Sequence, residues 1–444
     1  MPHAPRTLFG TDGVRGVAGE FLSAELALGL ARAATEDSPA DRPRVLLVRD
    51  TRESGEMLES AMAAGVAAGG GEALLGGVLP TPAAPLLLAR YGFDLAAVIS
   101  ASHNPYSDNG IKFFGPDGDK LGDDHEHAIE ERLAGVLTPR PDRTMGRVSA
   151  VHGTLQDYLR ELHARFADLD LSGQRIVLDC ANGATYRAGP EIFRRLGADV
   201  TVLADSPDGR NINLGCGSTH LDLMAATMKE GAHDVGFAFD GDGDRMLAVD
   251  RKGAIVDGDE LIALAALHLR GAGKLPGDGV AVTVMTNYGF HTAMEAAGVA
   301  VATTAVGDRH VLQELGRRGW SLGGEQSGHI IELGFAPSGD GIAAALLTLE
   351  ALDGADLAER HAMEKLPQRL VNVRVARLGS LAGAEEVQAV VEQESAALEG
   401  RGRVLVRESG TEPLVRVMVE APEVEEADAA CGRIVAIVER DLAS

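Results

Sequence analysis

Three aspartates, Asp240, Asp242 and Asp244, stand at alternate positions with glycines between them and Arg245 directly after. Two like charges ~4 Å apart repel by about 4 kcal/mol at an effective dielectric near ~20, so bringing three carboxylates together on one short loop is unfavourable unless a cation neutralises them. Oxygen-only ligands of this kind suit Mg²⁺, Mn²⁺ or Ca²⁺ rather than zinc. A helix–loop–helix calcium site needs Gly at its sixth position and Glu at its twelfth. Counted from Asp240 these are Arg245 and Arg251, so the calcium loop is excluded. A divalent-metal loop or a solvated acidic turn remains. The cluster ends an apolar strand candidate, Asp234–Phe239, and an arginine beside it fits a metal that shares a phosphate with arginine.

A second polar loop is Ser100-Ala-Ser-His-Asn-Pro105. The apolar run Leu95–Ile99 before it reads as a buried strand, and Asn104-Pro105 stops regular structure. Ser102 and His103 are therefore expected at the carboxyl end of a strand, where open α/β sheets place ligands. Lys112 follows closely. These residues suit a serine that carries a phosphoryl group and hands it to a sugar; the alternative is an ordinary turn.

Two further loops carry polar groups. Gly324-Glu-Gln-Ser-Gly-His329 offers Glu325 and Gln326 as acceptors, the Ser327 hydroxyl and a titratable His329, a set suited to adjacent sugar hydroxyls and proton transfer. Arg407-Glu-Ser-Gly-Thr-Glu-Pro413, with Arg416 nearby, reads as an anion cradle made by Arg407, Ser409, Gly410, Thr411 and Arg416. It holds no nucleophile with a partner base, so it suits a phosphate that is not being transferred. Near the amino terminus, Leu8–Gly16 reads as a glycine-punctuated turn around Arg15, whose guanidinium can grip a phosphate through two parallel hydrogen bonds. No phosphate-binding GxxxxGK[ST] loop is present.

The elements that must hold these loops alternate strand and helix. The pattern predicts three α/β units at 1–150, 151–251 and 252–366, with mixed, mostly parallel sheets, and a smaller α+β domain at 367–444. Leu366-Pro367 reads as a hinge. The segments Thr138–Ala150 and Arg251–Asp257 read as connectors. The three units share a rhythm of elements but no close sequence repeat.

The chain has 444 residues, 45% hydrophobic and 24% charged, with a formal net charge of −25. This composition suits a globular protein, and the charge argues against nucleic acid and anionic membrane surfaces as partners. An anionic substrate then requires arginines gathered locally, as in the loops above. Three scattered cysteines and no long apolar run lead us to expect a reduced, cytoplasmic setting.

Taken together and in this order, Ser-Ala-Ser-His-Asn-Pro (100–105), Asp-Gly-Asp-Gly-Asp-Arg (240–245), Gly-Glu-Gln-Ser-Gly-His (324–329) and Ser-Gly-Thr-Glu-Pro (409–413) resemble the α-D-phosphohexomutase superfamily over nearly the whole chain. Leu8–Gly16, Asp108–Phe114, Cys216–His220 and Gln326 resemble its bacterial amino-sugar branch; the mannose/glucose branch usually has Met at the position of Gln326. His310, where Tyr is usual, and Tyr106, where Met is common, depart from the pattern.

The resemblance implies four domains around a central cleft and interconversion of glucosamine 6-phosphate and glucosamine 1-phosphate, feeding amino-sugar nucleotide and cell-wall synthesis. It implies a phosphoserine at Ser102, with one Mg²⁺ per chain on Asp240, Asp242, Asp244 and a phosphoserine oxygen. Arg245 and His103 would flank the phosphoryl group. Lys112 is the first candidate for the proton acceptor and His329 the second. Glu325 and Ser327 would hold the sugar, and Arg15 and Arg309 would add to the phosphate grip. Ser102 would be loaded by glucosamine or glucose 1,6-bisphosphate or by an activating kinase, in a monomer or a homodimer. Two alternatives stay open: the same chemistry on mannose or glucose phosphates, and a sugar-phosphate-binding regulator without turnover.

Overall fold

Apolar runs of the sequence become the central strands of four sheets. The computed structural model describes residues 8–10, 12–133, 135, 144–377, 379–409 and 413–443. Two compact units are distinguished, Met1–Met285 with Val299–Arg360, and Thr286–Gly298 with His361–Ser444.

The first unit holds three sheets. One contains β1 (Val14–Val17), β2 (Arg44–Arg49), β3 (Glu72–Val78), β4 (Leu95–Ile99), β5 (Asp108–Phe114) and β6 (Arg147–Ala150) in the order β1-β5-β4-β2-β3-β6. The next contains β7 (Arg175–Asp179), β8 (Asp199–Leu203), β9 (Val235–Phe239), β10 (Met246–Asp250) and β11 (Ile255–Val256), ordered β11-β10-β9-β7-β8. The third contains β12 (Gly279–Thr283), β13 (Ala300–Thr304), β14 (Leu322–Gly324) and β15 (Ile330–Glu332), ordered β13-β12-β14-β15.

One arrangement recurs in all three. A parallel core (β4-β2-β3, β9-β7-β8, β14-β12-β13) is flanked by one antiparallel strand, β5, β10 or β15. The loop that turns the chain back into that strand is the Ser102 loop in the first sheet, Asp240–Arg245 in the second and Glu325–His329 in the third. The shared rhythm of elements is thus a structural repeat, and its three polar loops occupy equivalent places.

Two expectations are corrected. Arg15 lies on β1, not in a turn, because β1 pairs antiparallel with β5 and sets Arg15 opposite Gly110. The connectors carry strands: β6 extends the first sheet along β3, and β11 extends the second along β10. The part of the first connector at 138–143 lies outside the described residues.

The helices of this unit are α1 (Ala24–Asp37), α2 (Gly55–Ala68), α3 (Ala83–Tyr91), α4 (Asp123–Leu133), α5 (Thr154–Arg165), α6 (Ala188–Arg195), α7 (Asp222–Glu230) and α8 (Gly258–Gly271). After α9 (Tyr288–Ala296), which belongs to the other unit, come α10 (Asp308–Arg318) and α11 (Gly341–Leu352). Side chains fix several starts: the Ser23 hydroxyl accepts from Leu26 N, and Asp257 with Glu260 forms a reciprocal cap on α8.

The second unit has one antiparallel sheet, β16 (Gln368–Arg374), β17 (Arg403–Glu408) and β18 (Leu414–Glu420), ordered β16-β18-β17, with α12 (Glu385–Ala397) and α13 (Val424–Leu442). Helix α9 joins this unit because the buried Glu420 carboxylate accepts from Tyr288 N at 2.8 Å and from Asn287 Nδ2 at 3.3 Å. Among the described residues no helix is long and apolar enough to cross a membrane.

Candidate active site

Ser102 follows β4 by three residues and takes a left-handed backbone, φ 51°. Few non-glycine residues adopt this conformation, and it costs of order 1–2 kcal/mol. The hydroxyl is almost wholly buried. It donates to Asp240 Oδ2 at 2.5 Å and lies 3.4 Å from His103 Nδ1.

The Asp240–Arg245 loop comes close to this serine where its glycines leave room. A Cβ on Gly241 would lie 2.5 Å from the Ser102 carbonyl oxygen, and Gly243 has φ +74°. Asp240, Asp242 and Asp244 are buried, with ligand oxygens all within 4.8 Å of one another. Thr81 Oγ1 donates to Asp242 Oδ2 at 2.7 Å, and the backbone N–H groups of Gly243 and Arg245 donate to Asp240 Oδ1. Asp242 Oδ1 and Asp244 Oδ1 are buried without a hydrogen-bond partner. Unpartnered carboxylate oxygens in an all-oxygen cluster fit a small divalent cation, and Ser102 can add a further oxygen. Burial and the neighbouring carboxylates push Asp240 well above the usual carboxylate range. Asp244 is driven up by burial, but Lys112, His329 and Arg245 more than reverse this and hold it well below.

Arg245 Nη1 approaches His103 Nδ1 at 3.1 Å. Burial and the nearby cations Arg245 and Arg15 lower the His103 pKa, so the ring is neutral and accepts from arginine. Lys112, on β5, is buried and sits 3.2 Å from Asp12, 3.2 Å from Asp242 and 3.7 Å from Asp244. Burial lowers its pKa, but these carboxylates outweigh that and raise it above the ordinary lysine value. The three carboxylates hold the Lys112 ammonium at the edge of the aspartate cluster.

His329 closes a chain of alternating charges. Its Nδ1 is 3.8 Å from Asp244 Oδ2 and its Nε2 3.8 Å from Asp308 Oδ2. Lys120 bridges Asp308 at 2.6 Å and Asp12 at 2.7 Å, and Asp12 returns to Lys112. The N–H of Gly339 donates to Nε2 at 3.2 Å, which favours the neutral ring. Burial also lowers the pKa of His329, but the two carboxylates outweigh it and raise its proton affinity. Asp12, Lys120 and Asp308 were not singled out in the sequence. Asp12 beside Arg15 and Asp308 after Gly307 sit in glycine-punctuated stretches, a signal that can find them; Lys120 has none.

A cavity of about 420 Å³ adjoins this cluster, lined among others by Asp12, Asp244, Arg245, Asp308, Arg309, His310, Glu325 and His329. Its size suits a sugar phosphate. Glu325 accepts from Gly307 N at 3.0 Å, and Ser327, two positions on, is exposed. Arg15 pairs with Asp12 through Nη2. Arg309, expected to add to the phosphate grip, lines the same cavity. Its guanidinium pairs with Asp123, with Glu126 at 3.1 Å and with the Leu121 carbonyl at 3.3 Å. Those partners lie in the first α/β unit, more than 180 positions away, where spacing could not reveal them.

In the second unit Arg407 on β17 is paired in register with Arg416 on β18. The two strand positions face the same side. Burial and Arg416 together lower the pKa of Arg407, and Arg416 Nε is buried without a partner. Ser409 N donates to the Leu414 carbonyl at 2.8 Å. Gly410 and Thr411 lie outside the described residues.

Four family models of phosphoglucomutase/phosphomannomutase match in sequence: α/β/α domain I at 6–138, domain II at 156–253, domain III at 257–370 and the C-terminal domain at 370–437. The chain is 50% identical over 427 residues to the phosphoglucosamine mutase of Moorella thermoacetica, covering 94% of this chain and 96% of that one. It is 47% identical over 442 residues to that of Geobacillus kaustophilus, covering 98% of both. Among solved structures it is similar to a phosphoglucomutase/phosphomannomutase family protein of Burkholderia thailandensis, with TM-score 0.84, 24% identity and coverage of 98% and 97%. It is also similar to an N-acetylphosphoglucosamine mutase of Aspergillus fumigatus in complex with GlcNAc-6P and magnesium, with TM-score 0.67, 19% identity and coverage of 98% and 96%. With the matches spanning all three polar hairpin loops and the final domain, the chain belongs to the phosphoglucomutase/phosphomannomutase family.

Proposed function

We propose that the chain is a phosphoglucosamine mutase, interconverting glucosamine 6-phosphate and glucosamine 1-phosphate through phospho-Ser102 and a 1,6-bisphosphate. The carrying observation is the 2.5 Å contact of the Ser102 hydroxyl with Asp240 inside the three-carboxylate cluster. The substrate assignment leans on relatives named phosphoglucosamine mutase at 47–50% identity.

In the forward half-reaction a sugar hydroxyl oxygen attacks the phosphorus of phospho-Ser102. The new P–O bond forms as the bond to Oγ breaks, and the hydroxyl proton passes to a protein base. The reverse step returns the other phosphate to Oγ, which needs the bisphosphate to turn around. Asp240, Asp242, Asp244 and a phosphoserine oxygen would hold a magnesium ion, which would supply charge neutralisation and polarisation of the phosphoryl group. Arg245 offers donors to the phosphoryl oxygens, and neutral His103 orients that guanidinium. His329 suits the proton shuttle better than Lys112, whose ammonium is held by three carboxylates. Glu325 contacts the sugar, Arg15 adds charge beside His103, and Arg407 with Arg416 grips the phosphate at rest. A bisphosphate activator or a kinase loads Ser102, and the enzyme works in the cytoplasm as a monomer or homodimer.

A coupled assay for glucosamine 1-phosphate tests this, with Mg²⁺, glucosamine 6-phosphate and a trace of 1,6-bisphosphate, on native protein and Ser102→Ala, with intact mass read on both. Native turnover and one added phosphate, both lost in the variant, is the expected result. Turnover surviving Ser102→Ala would sink the phosphoserine mechanism. A phosphorylated native protein active only on mannose or glucose phosphates would move the substrate, and one active on none would favour a binding protein.

A further inference from the structure

The Ser102 loop rests on one buried guanidinium. The Arg52 side chain has 0% exposure. Its Nη2 donates to the carbonyls of Ser102 and Asn104, both at 2.9 Å, and its Nη1 to those of Asp108, at 3.0 Å, and Pro105. Its Nε donates to Asp50 Oδ2 at 2.8 Å. Asp50 in turn accepts from the Ser100 hydroxyl at 2.6 Å, and that hydroxyl accepts from Ser102 N at 3.0 Å. The serine peptide is therefore held at both ends by one Asp50–Arg52 pair, and its φ of 51° is held with it. From the second α/β unit, Asn213 Nδ2 adds donors to the same Ser102 and Asn104 carbonyls at 2.9 and 3.1 Å.

The structural repeat builds the same turn elsewhere without an arginine. The strand equivalent to β2 ends in the same turn in each α/β unit: Asp50 accepts from Arg52 N, Asp179 from Ala181 N and Thr283 Oγ1 from Met285 N. Where the second and third units carry Ala181 and Met285, the first carries arginine, beneath the loop that bears the reactive serine.

Resting on the phosphoserine reading above, we propose that Arg52 is a positioning residue for phosphoryl transfer. It fixes the four-carbonyl loop so that Ser102 Oγ points at the three-aspartate cluster, without touching sugar or phosphate. A buried guanidinium presents several donors in a rigid fork, which a lysine cannot reproduce. A serine oxygen displaced by ~1 Å costs on the order of 100-fold in rate.

The test compares native protein, Arg52→Lys and Arg52→Met, all Mg²⁺-loaded. It reads thermal melts, the rate of Ser102 phosphorylation by glucose 1,6-bisphosphate from intact mass, and kcat and KM for glucosamine 6-phosphate. The expected result is cooperative melting, KM within ~3-fold of native, and loading rate and kcat lowered on the order of 100-fold in both variants. A folded variant with both rates within ~3-fold of native would overturn the proposal, as would a raised KM with unchanged kcat. Failure of both variants to fold would make the contact a fold-forming one and also overturn it. Native protein that loads but does not turn over glucosamine 6-phosphate would sink the substrate reading alone, leaving the loading comparison as the test of Arg52. Native protein that neither loads nor turns over would sink both.

Discussion

Arg407 and Arg416 stand directly opposite each other on β17 and β18, two cations in register on one face of the sheet. Like charges so placed destabilise by about 0.2–1 kcal/mol, so the pair costs the free protein stability and suits an anion. Arg416→Met is expected to melt at or slightly above the native temperature without ligand. Its KM for glucosamine 6-phosphate should rise about 10–100-fold, the loss expected for one charge-assisted hydrogen bond. Melting curves with and without inorganic phosphate, beside steady-state kinetics, check both effects.

Thr81 orients the metal loop from outside it. Its hydroxyl donates to Asp242 Oδ2 and leaves Oδ1 free of partners. Thr81→Val keeps the shape and removes the donor. Such supporting hydrogen bonds are worth about 10–100-fold in metal affinity. The Mg²⁺ concentration for half-maximal activity should rise by that factor, with little change in maximal rate. In Asp242→Asn saturating Mg²⁺ should restore little activity, and a chelator should abolish native turnover reversibly.

Tyr158 on α5 donates its hydroxyl to both oxygens of Asp340, at 3.0 and 2.8 Å, and Asp340 caps α11 through Ala343 N. Burial pushes Asp340 up to about 6, despite these donors, from an ordinary value of 3.8. The folded chain therefore binds this proton more tightly than the unfolded chain. The associated stability is complete below pH ~4 and is lost as pH rises towards ~6, by up to about 3 kcal/mol. Asp340→Asn should flatten the dependence of melting temperature on pH across this window and melt above the native protein at pH ~7.5. Tyr158→Phe should cost about 1–3 kcal/mol by removing a donor from a buried carboxylate.

The polar loops were legible in the sequence because each is a run of glycine and polar residues after an apolar strand, a local signal. What pairs with what was not. Arg15 looked like a turn residue because Gly10, Gly13 and Gly16 surround it, but pairing with β5 made its stretch a strand. The partners of Arg309, Asp123 and Glu126, lie far off in sequence and leave no local signal. The threefold repeat left no close sequence similarity because matching strand order requires only apolar runs of similar length. Arg52 passed unnoticed for the same reason as Lys120: neither its burial nor its distant partners leave a trace in its neighbours.

Lys120 ties Asp12, beside β1, to Asp308, at the start of α10, and so joins the first α/β unit to the third. Burial would lower the pKa of Lys120, but the two carboxylates raise it, so the bridge is a cation between two anions. Removing one member of such a set leaves the others buried and uncompensated, at about 3–5 kcal/mol. Lys120→Met should lose about that much stability, whereas Lys120→Met combined with Asp308→Asn should recover part of it. His329 touches Asp308, so the single variant should also alter kcat, because its ring loses a fixed neighbour on the Nε2 side. A double-mutant cycle on melting and kcat checks this. Additive losses would mean that Lys120 and Asp308 act separately, and a coupling of at least ~1 kcal/mol is the expected outcome for residues in one charge network.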